Sequence, residues 1–148
     1  MERKSLFDPE TLRSIEERID TLKPDTQPLW GRMTPAQMMA HCAEVQDVWL
    51  GKKLEGTPFL VRVIGPLLKG MLVSDRPYRK NSPTHPQYRI NDPRDFETEK
   101  ARLLASVRTL SESPQEGFRH PIFGRMTAEE KGWATYRHLN HHLSQFGV

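Results

Sequence analysis

Apolar residues recur with helical spacing in four stretches of the chain, and a helix-start signal precedes each one. In the first, Asp8-Pro9 offers a side-chain oxygen at the N-cap and a proline at the first helical position, where a missing N–H costs nothing. Leu12, Ile15, Ile19 and Leu22 follow on one face, with Arg13, Glu16, Glu17 and Asp20 opposite and Pro24 just past the end. An amphipathic helix of about four turns is expected there. The second stretch opens at Thr34 and runs to about Leu50, where Gly51 offers a stop. On it Met38, His41, Val45, Val48 and Trp49 share the inward side, Gln37 and Glu44 lie at its edge, Cys42 takes the other flank, and Ala43 and Asp47 point away.

The third stretch starts at Asp92-Pro93, with Asp95 at N3, carries Phe96, Lys100, Leu103, Val107 and Leu110, and ends near Ser113-Pro114. The fourth spans Thr127 to about Phe146. Tyr136, Leu139, Leu143 and Phe146 form its apolar flank, and Trp133, Arg137, Asn140 and Ser144 its outer side. Gly132 inside this helix costs about 1 kcal/mol relative to alanine, so a close packing contact is expected at that point.

WGRMTPAQ before the second helix is echoed by FGRMTAEE before the fourth. Each has an aromatic-Gly-Arg-Met turn, a threonine N-cap (Thr34, Thr127) and Gln37 or Glu130 at N3 to complete a capping box. Between the second and third helices, residues 52–91 show no long element: Phe59 to Leu68 is a short helix or an irregular apolar segment broken at Gly65-Pro66, and Ser74 to Pro86 is a proline-studded loop. A connection of that length suggests a lid or a homodimer surface. The pattern as a whole predicts an all-α chain, one domain over residues 1–148, folded as an up-down four-helix bundle with a long proline-rich connection between helices two and three.

Composition narrows the function. Basic residues number 22 against 19 acidic ones, a small net charge of +3 with the two signs mixed along the chain and no Lys/Arg block, so no nucleic-acid partner is expected. Cys42 is the only cysteine, which excludes an internal disulfide and a cysteine-based zinc cluster. The first residues form no secretory signal, and the apolar run Phe59 to Val73 is interrupted by charges, so a cytoplasmic protein with no membrane partner is expected.

The candidate chemistry lies in HLNHHLSQFG. His138, His142 and Gln145 fall on one narrow arc of the last helix with His141 beside them, and histidines four apart put two imidazoles on one side, as a zinc-like ion requires. His41 is the candidate third ligand; alone on an apolar face it would read as a hydrogen-bonded core histidine. His85, in the loop, is expected at the surface, and His120, held extended by Pro121, is expected to pack near the entry of the last helix. The N-caps of helices two and four leave His41 and His138 out of step by about 6 Å, which a stagger or tilt would absorb.

Three neutral ligands leave positions open for water or substrate, the arrangement of a catalytic metal, with zinc, nickel, iron or manganese as the candidates. Leu139 stands where the HExxH motif has its glutamate, so no zinc-protease base is present; Glu44 is either a substitute base or a surface carboxylate at the helix edge. Gln37, His141 and Gln145 are read as groups that hold the ligands or face a small-molecule substrate.

These residues, HLNHHLSQFG with HPIFGRMTAEE before it and WGRMTPAQMMAHC near the start, resemble the DinB-like superfamily of four-helix-bundle metalloproteins, and within it a branch of bacterial proteins of unknown function. The resemblance covers essentially the whole chain. It implies metal on the helix-two histidine and on the first and last histidines of HxxxH, which are His41, His138 and His142 here. Better-understood relatives are metal-dependent transferases or isomerases that use low-molecular-weight thiols, and others are hydrolases. The expected function is therefore activation of a thiol or water by a bound metal. A metal-dependent hydrolase is the first alternative, and a non-catalytic binding protein with a structural or vestigial ion is the second.

Overall fold

The structure, a computed structural model, describes residues 2–148; Met1, where the expected domain begins, lies outside them. It is mostly helical, with one small two-stranded sheet. Helix α1 (Pro9–Thr21) is capped as expected, the Asp8 carboxylate accepting from the Thr11 N–H, and it buries Ile15 and Ile19 completely. Helix α2 (Pro35–Trp49) has its full capping box: Thr34 Oγ accepts from Gln37 N–H, and Gln37 Oε1 accepts from Thr34 N–H.

Helix α2 is buried almost all round, including Ala43, which the sequence pattern turned outward. The reason is its position, packed most extensively on α5 (Phe96–Ser111) and also on α6 (Ala128–Gln145). A helix with neighbours on both sides loses the polar stripe that a surface helix keeps. Helix α1 packs on the same two partners, so the four long helices meet in the order α1, α5, α2, α6, and of these packed neighbours only α2 and α5 are consecutive long helices in the sequence.

The N-cap of α5 is Asp95, three residues later than expected. Its carboxylate accepts from both the N–H and the hydroxyl of Thr98, whereas Asp92 is taken up by Arg94 at 2.9 Å and its carbonyl by the Gln37 amide. Both aspartates carry a cap side chain, and the one with a hydroxyl three residues on wins. Helix α6 has the second capping box, Thr127 with Glu130. Gly132 is the close contact anticipated: a Cβ there would collide with Ser5 Oγ, and its carbonyl accepts from Leu6 N–H at 3.2 Å.

Between α2 and α5 the chain forms two short helices, α3 (Phe59–Ile64) and α4 (Lys69–Leu72), joined by a 3-10 turn, and then a further 3-10 turn at Pro86–Tyr88. This connection covers the side of α6 that the sequence pattern read as outer. Trp133 and Arg137 are buried, Trp133 Nε1 donating to the Ser74 carbonyl and Arg137 to the carbonyls of Met71, Leu72 and Arg76. The hairpin β1 (Phe118–His120) and β2 (Gly124–Met126), antiparallel, falls where an irregular turn was expected. No described helix is long and apolar enough to cross a membrane.

Candidate metal centre

His41 comes from the middle of α2, and His138 and His142 from successive turns of α6. Their ligand atoms all lie within 4.8 Å of one another, and the facing Nε2 atoms of His41 and His138 are 3.1 Å apart. The axial offset set by the two N-caps is thus absorbed in the packing of α2 against α6. His41 is buried, and His138 and His142 are partly exposed, so the cluster opens on one side.

Two of the three rings have their tautomers fixed by neighbours. His41 Nδ1 lies 2.7 Å from the Tyr88 carbonyl oxygen, an acceptor only, so Nδ1 carries the proton and Nε2 presents its lone pair inward. His142 Nδ1 lies 2.9 Å from Gln145 Oε1, and the Gln145 amide is oriented by its own Nε2, which donates to the Trp30 carbonyl at 2.9 Å. His142 therefore also turns Nε2 away from its hydrogen bond. Hydrogen-bonded rings of this kind are how proteins aim imidazoles at a metal. His138 has no such partner: its Nδ1 is buried and unpaired, and its Nε2 faces His41.

The same crowding keeps all three rings neutral. Burial, followed by the neighbouring histidines, holds His138 far below the ordinary histidine value. Burial lowers His41 against the pull of the Tyr88 carbonyl, and burial and His41 bring His142 down to about 3. Neutral imidazole is the ligating form. Ligands about 2.0–2.1 Å from a zinc-like ion, set at right or tetrahedral angles, lie about 2.9–3.4 Å apart. The 3.1 Å between His41 and His138 fits that requirement.

Around the histidines stand residues that the sequence pattern did not single out. The Tyr78 ring is 5.4 Å from that of His141 and 6.4 Å from that of His138, with the Arg137 guanidinium stacked on it at 3.9 Å. Trp30 lies 5.7 Å from His141 and carries Lys80 over its face. His141 thus sits beside the cluster between two aromatic rings, and Gln145 holds His142.

Gln37 completes the capping box as expected, and both ends of its amide are taken up by the N-cap and Asp92 rather than by the histidines. Glu44 is not a surface carboxylate. It is buried and receives Lys52 at 2.6 Å, Arg102 at 2.7 Å and the Gln87 amide at 3.0 Å. Burial alone would raise its pKa, but those donors outweigh it and lower it from the ordinary carboxylate value, which weakens it as a base. His85 caps the Pro86–Tyr88 turn, accepting from Gln87 N–H, and His120 accepts from Ile122 N–H beside Trp49 and Phe123; neither joins the cluster. Cys42 is buried, and burial pushes its thiol far above the ordinary value, so it supplies no nucleophile.

No curated protein and no solved structure matches this sequence. The family model of the DinB superfamily does, over residues 8–146, a stretch that takes in all four long helices and every histidine of the cluster. The resemblance carried by the capping turns and the histidine motif is thereby established, and the chain belongs to the DinB superfamily.

Proposed function

We propose that His41, His138 and His142 hold one divalent metal ion and that the protein uses it to transfer a small thiol to an electrophilic substrate. The observation that carries this reading is the convergence of three neutral imidazoles, two of them aimed by hydrogen bonds from Tyr88 and Gln145. A divalent ion among neutral ligands retains its charge and ionises a bound thiol or water near neutral pH. Imidazole donors suit zinc, nickel and iron, and manganese completes the set to be tried.

The protein's own contribution is to orient and to shield. Tyr88 and Gln145 fix the rings; Tyr78, Trp30 and His141 wall the open side where a substrate would enter. Glu44, locked in its ion pairs, does not stand ready to take a proton from water. A thiol, which needs little help once ionised, suits such a site better than water does. The reading includes the up-down bundle, with α2 and α6 side by side and running the same way, supported by the packing of each on α5 or α1.

Elemental analysis should find about one equivalent of metal per chain, one three-histidine cluster holding one ion. His138→Ala should abolish both metal and the consumption of thiols in the presence of general electrophiles, with the helical circular dichroism unchanged. Cleavage of esters in a His138-dependent way, with every thiol inert, would replace thiol transfer by hydrolysis. Full metal retention in His41→Ala would remove His41 from the ligand set.

A further inference from the structure

Six large apolar side chains on one short helical run have no partner in the fold. Phe59, Leu60, Val63, Leu67 and Met71 are each more than half exposed, and Leu68 is 38% exposed. Phe59, Val63, Leu67 and Met71 follow one another at four-residue spacing along α3, the 3-10 turn and α4, so they form a stripe. Single exposed apolar residues are ordinary, whereas a stripe of this length marks a contact surface. The stripe is firmly presented. Gly65, on the opposite side, is buried with its backbone so close to the carbonyl of Ile122, between the two hairpin strands, that a Cβ would collide. Lys69 ties the far end down, pairing with Glu130 at 2.7 Å and donating to the Arg125 carbonyl.

Charge identifies the occupant. The +3 of the chain is unevenly divided: residues 52–91 hold eight basic side chains against Glu55 and Asp75, a net +6, which leaves −3 on the rest. Among the described residues Lys53, Arg62, Arg76, Arg79 and Arg89 of this segment form no ion pair. Lys53 and Arg62 line one surface hollow, together with Glu55, next to the start of α3. Two copies meeting through this stripe would bring two such basic segments together. An anionic lipid surface takes both features at once, the apolar side chains entering the acyl boundary and the lysines and arginines reaching the headgroups. The run is too short and too interrupted to span a bilayer, and lying in the interface asks for neither length nor continuity.

We propose that the α3–α4 stripe docks this protein on membranes that carry anionic lipid. The test is sedimentation of the intact metal-loaded protein with phosphatidylcholine vesicles, with and without phosphatidylglycerol. Binding should be at least about tenfold stronger with the anionic lipid and should weaken as salt is raised. The double variant Phe59→Ser/Leu67→Ser should lose at least about tenfold in binding. Its circular dichroism and metal content should match the parent, since both side chains face solvent. Lys53→Gln/Arg62→Gln should bind more weakly and with a shallower salt dependence. Failure of the parent to bind anionic vesicles, or equal binding by the Phe59→Ser/Leu67→Ser protein, would overturn the proposal. So would light scattering that shows a dimer which this variant converts to monomer, because the stripe would then belong to a second copy.

Discussion

Gly31 has no side chain and no place in the histidine cluster, yet it bears on how one of the three rings is held. Its backbone sits at φ +78°, in the left-handed region, and a Cβ there would lie 2.6 Å from Gln145 Nε2. Gln145 in turn fixes the His142 tautomer through Oε1 while its Nε2 rests on the Trp30 carbonyl. Gly31→Ala should therefore strain the turn, displace the amide and free the His142 ring. Metal affinity should fall by about 10–100-fold, the usual effect of losing a group that orients a ligand. Competition with a chromophoric chelator measures this directly, and an unchanged affinity would show that His142 is held by other means. His138, His142 and Gln145 were legible in the sequence because their spacing on one helix is a local property, whereas His41, on α2, was named as the partner that pair needs. The Tyr88 carbonyl, the Tyr78 ring and the unpaired Nδ1 of His138 were not, because a backbone oxygen has no sequence signature and the two tyrosines arrive from a segment without periodicity.

At the level of elements, the two aromatic-Gly-Arg-Met-Thr segments share a left-handed glycine and a capping threonine, although only the second runs through a strand, β2. Gly31 and Gly124 adopt φ +78° and +76°, and each turn delivers a threonine whose capping box closes reciprocally. Thr34→Ala and Thr127→Ala should each destabilise the protein by about 1 kcal/mol, read as a lowered urea midpoint at constant m-value. Identical midpoints would mean that packing alone fixes the entry of these helices. Capping chemistry is why helix ends were legible, and its ambiguity is why the start of α5 was not: Asp92 and Asp95 are both good caps, and the Thr98 hydroxyl on Asp95 together with the capture of Asp92 by Arg94 separates them. The hairpin escaped because its strands are three residues each, too short to show alternation. The outward face assigned to Trp133 and Arg137 failed for a tertiary reason, since the connection laid over α6 supplies carbonyls to both.

For the whole molecule, a histidine outside the cluster sets a pH dependence that can be isolated. His120 is buried against Trp49 and Phe123, and burial lowers its pKa to about 4. In the unfolded chain it titrates near 6.5, so above about pH 6.5 neither state binds the proton and stability is unaffected. As the pH falls from about 6.5 to 4, the unfolded state takes up a proton that the folded state refuses, and about 1.4 kcal/mol is lost per pH unit, about 3 kcal/mol in all. His120→Asn offers an oxygen to the Ile122 N–H that the Nδ1 lone pair now accepts, and it does not titrate. Stability of the variant measured from pH 7 to 4 should lack this component of the slope, and parallel curves for the two proteins would contradict the assignment. The largest departure from a plain helical bundle is the connection of residues 52–91, and the hydrogen bond from its Tyr88 carbonyl to His41 gives that departure a thermodynamic meaning. A ligand and a loop that share a contact are coupled, and coupling free energy is reciprocal. Whatever an ion gains from finding His41 already oriented by the connection, the connection regains as resistance to opening when the ion is bound. An ion held by the histidines and the packing of the segment on His41 would then be one equilibrium seen from two ends.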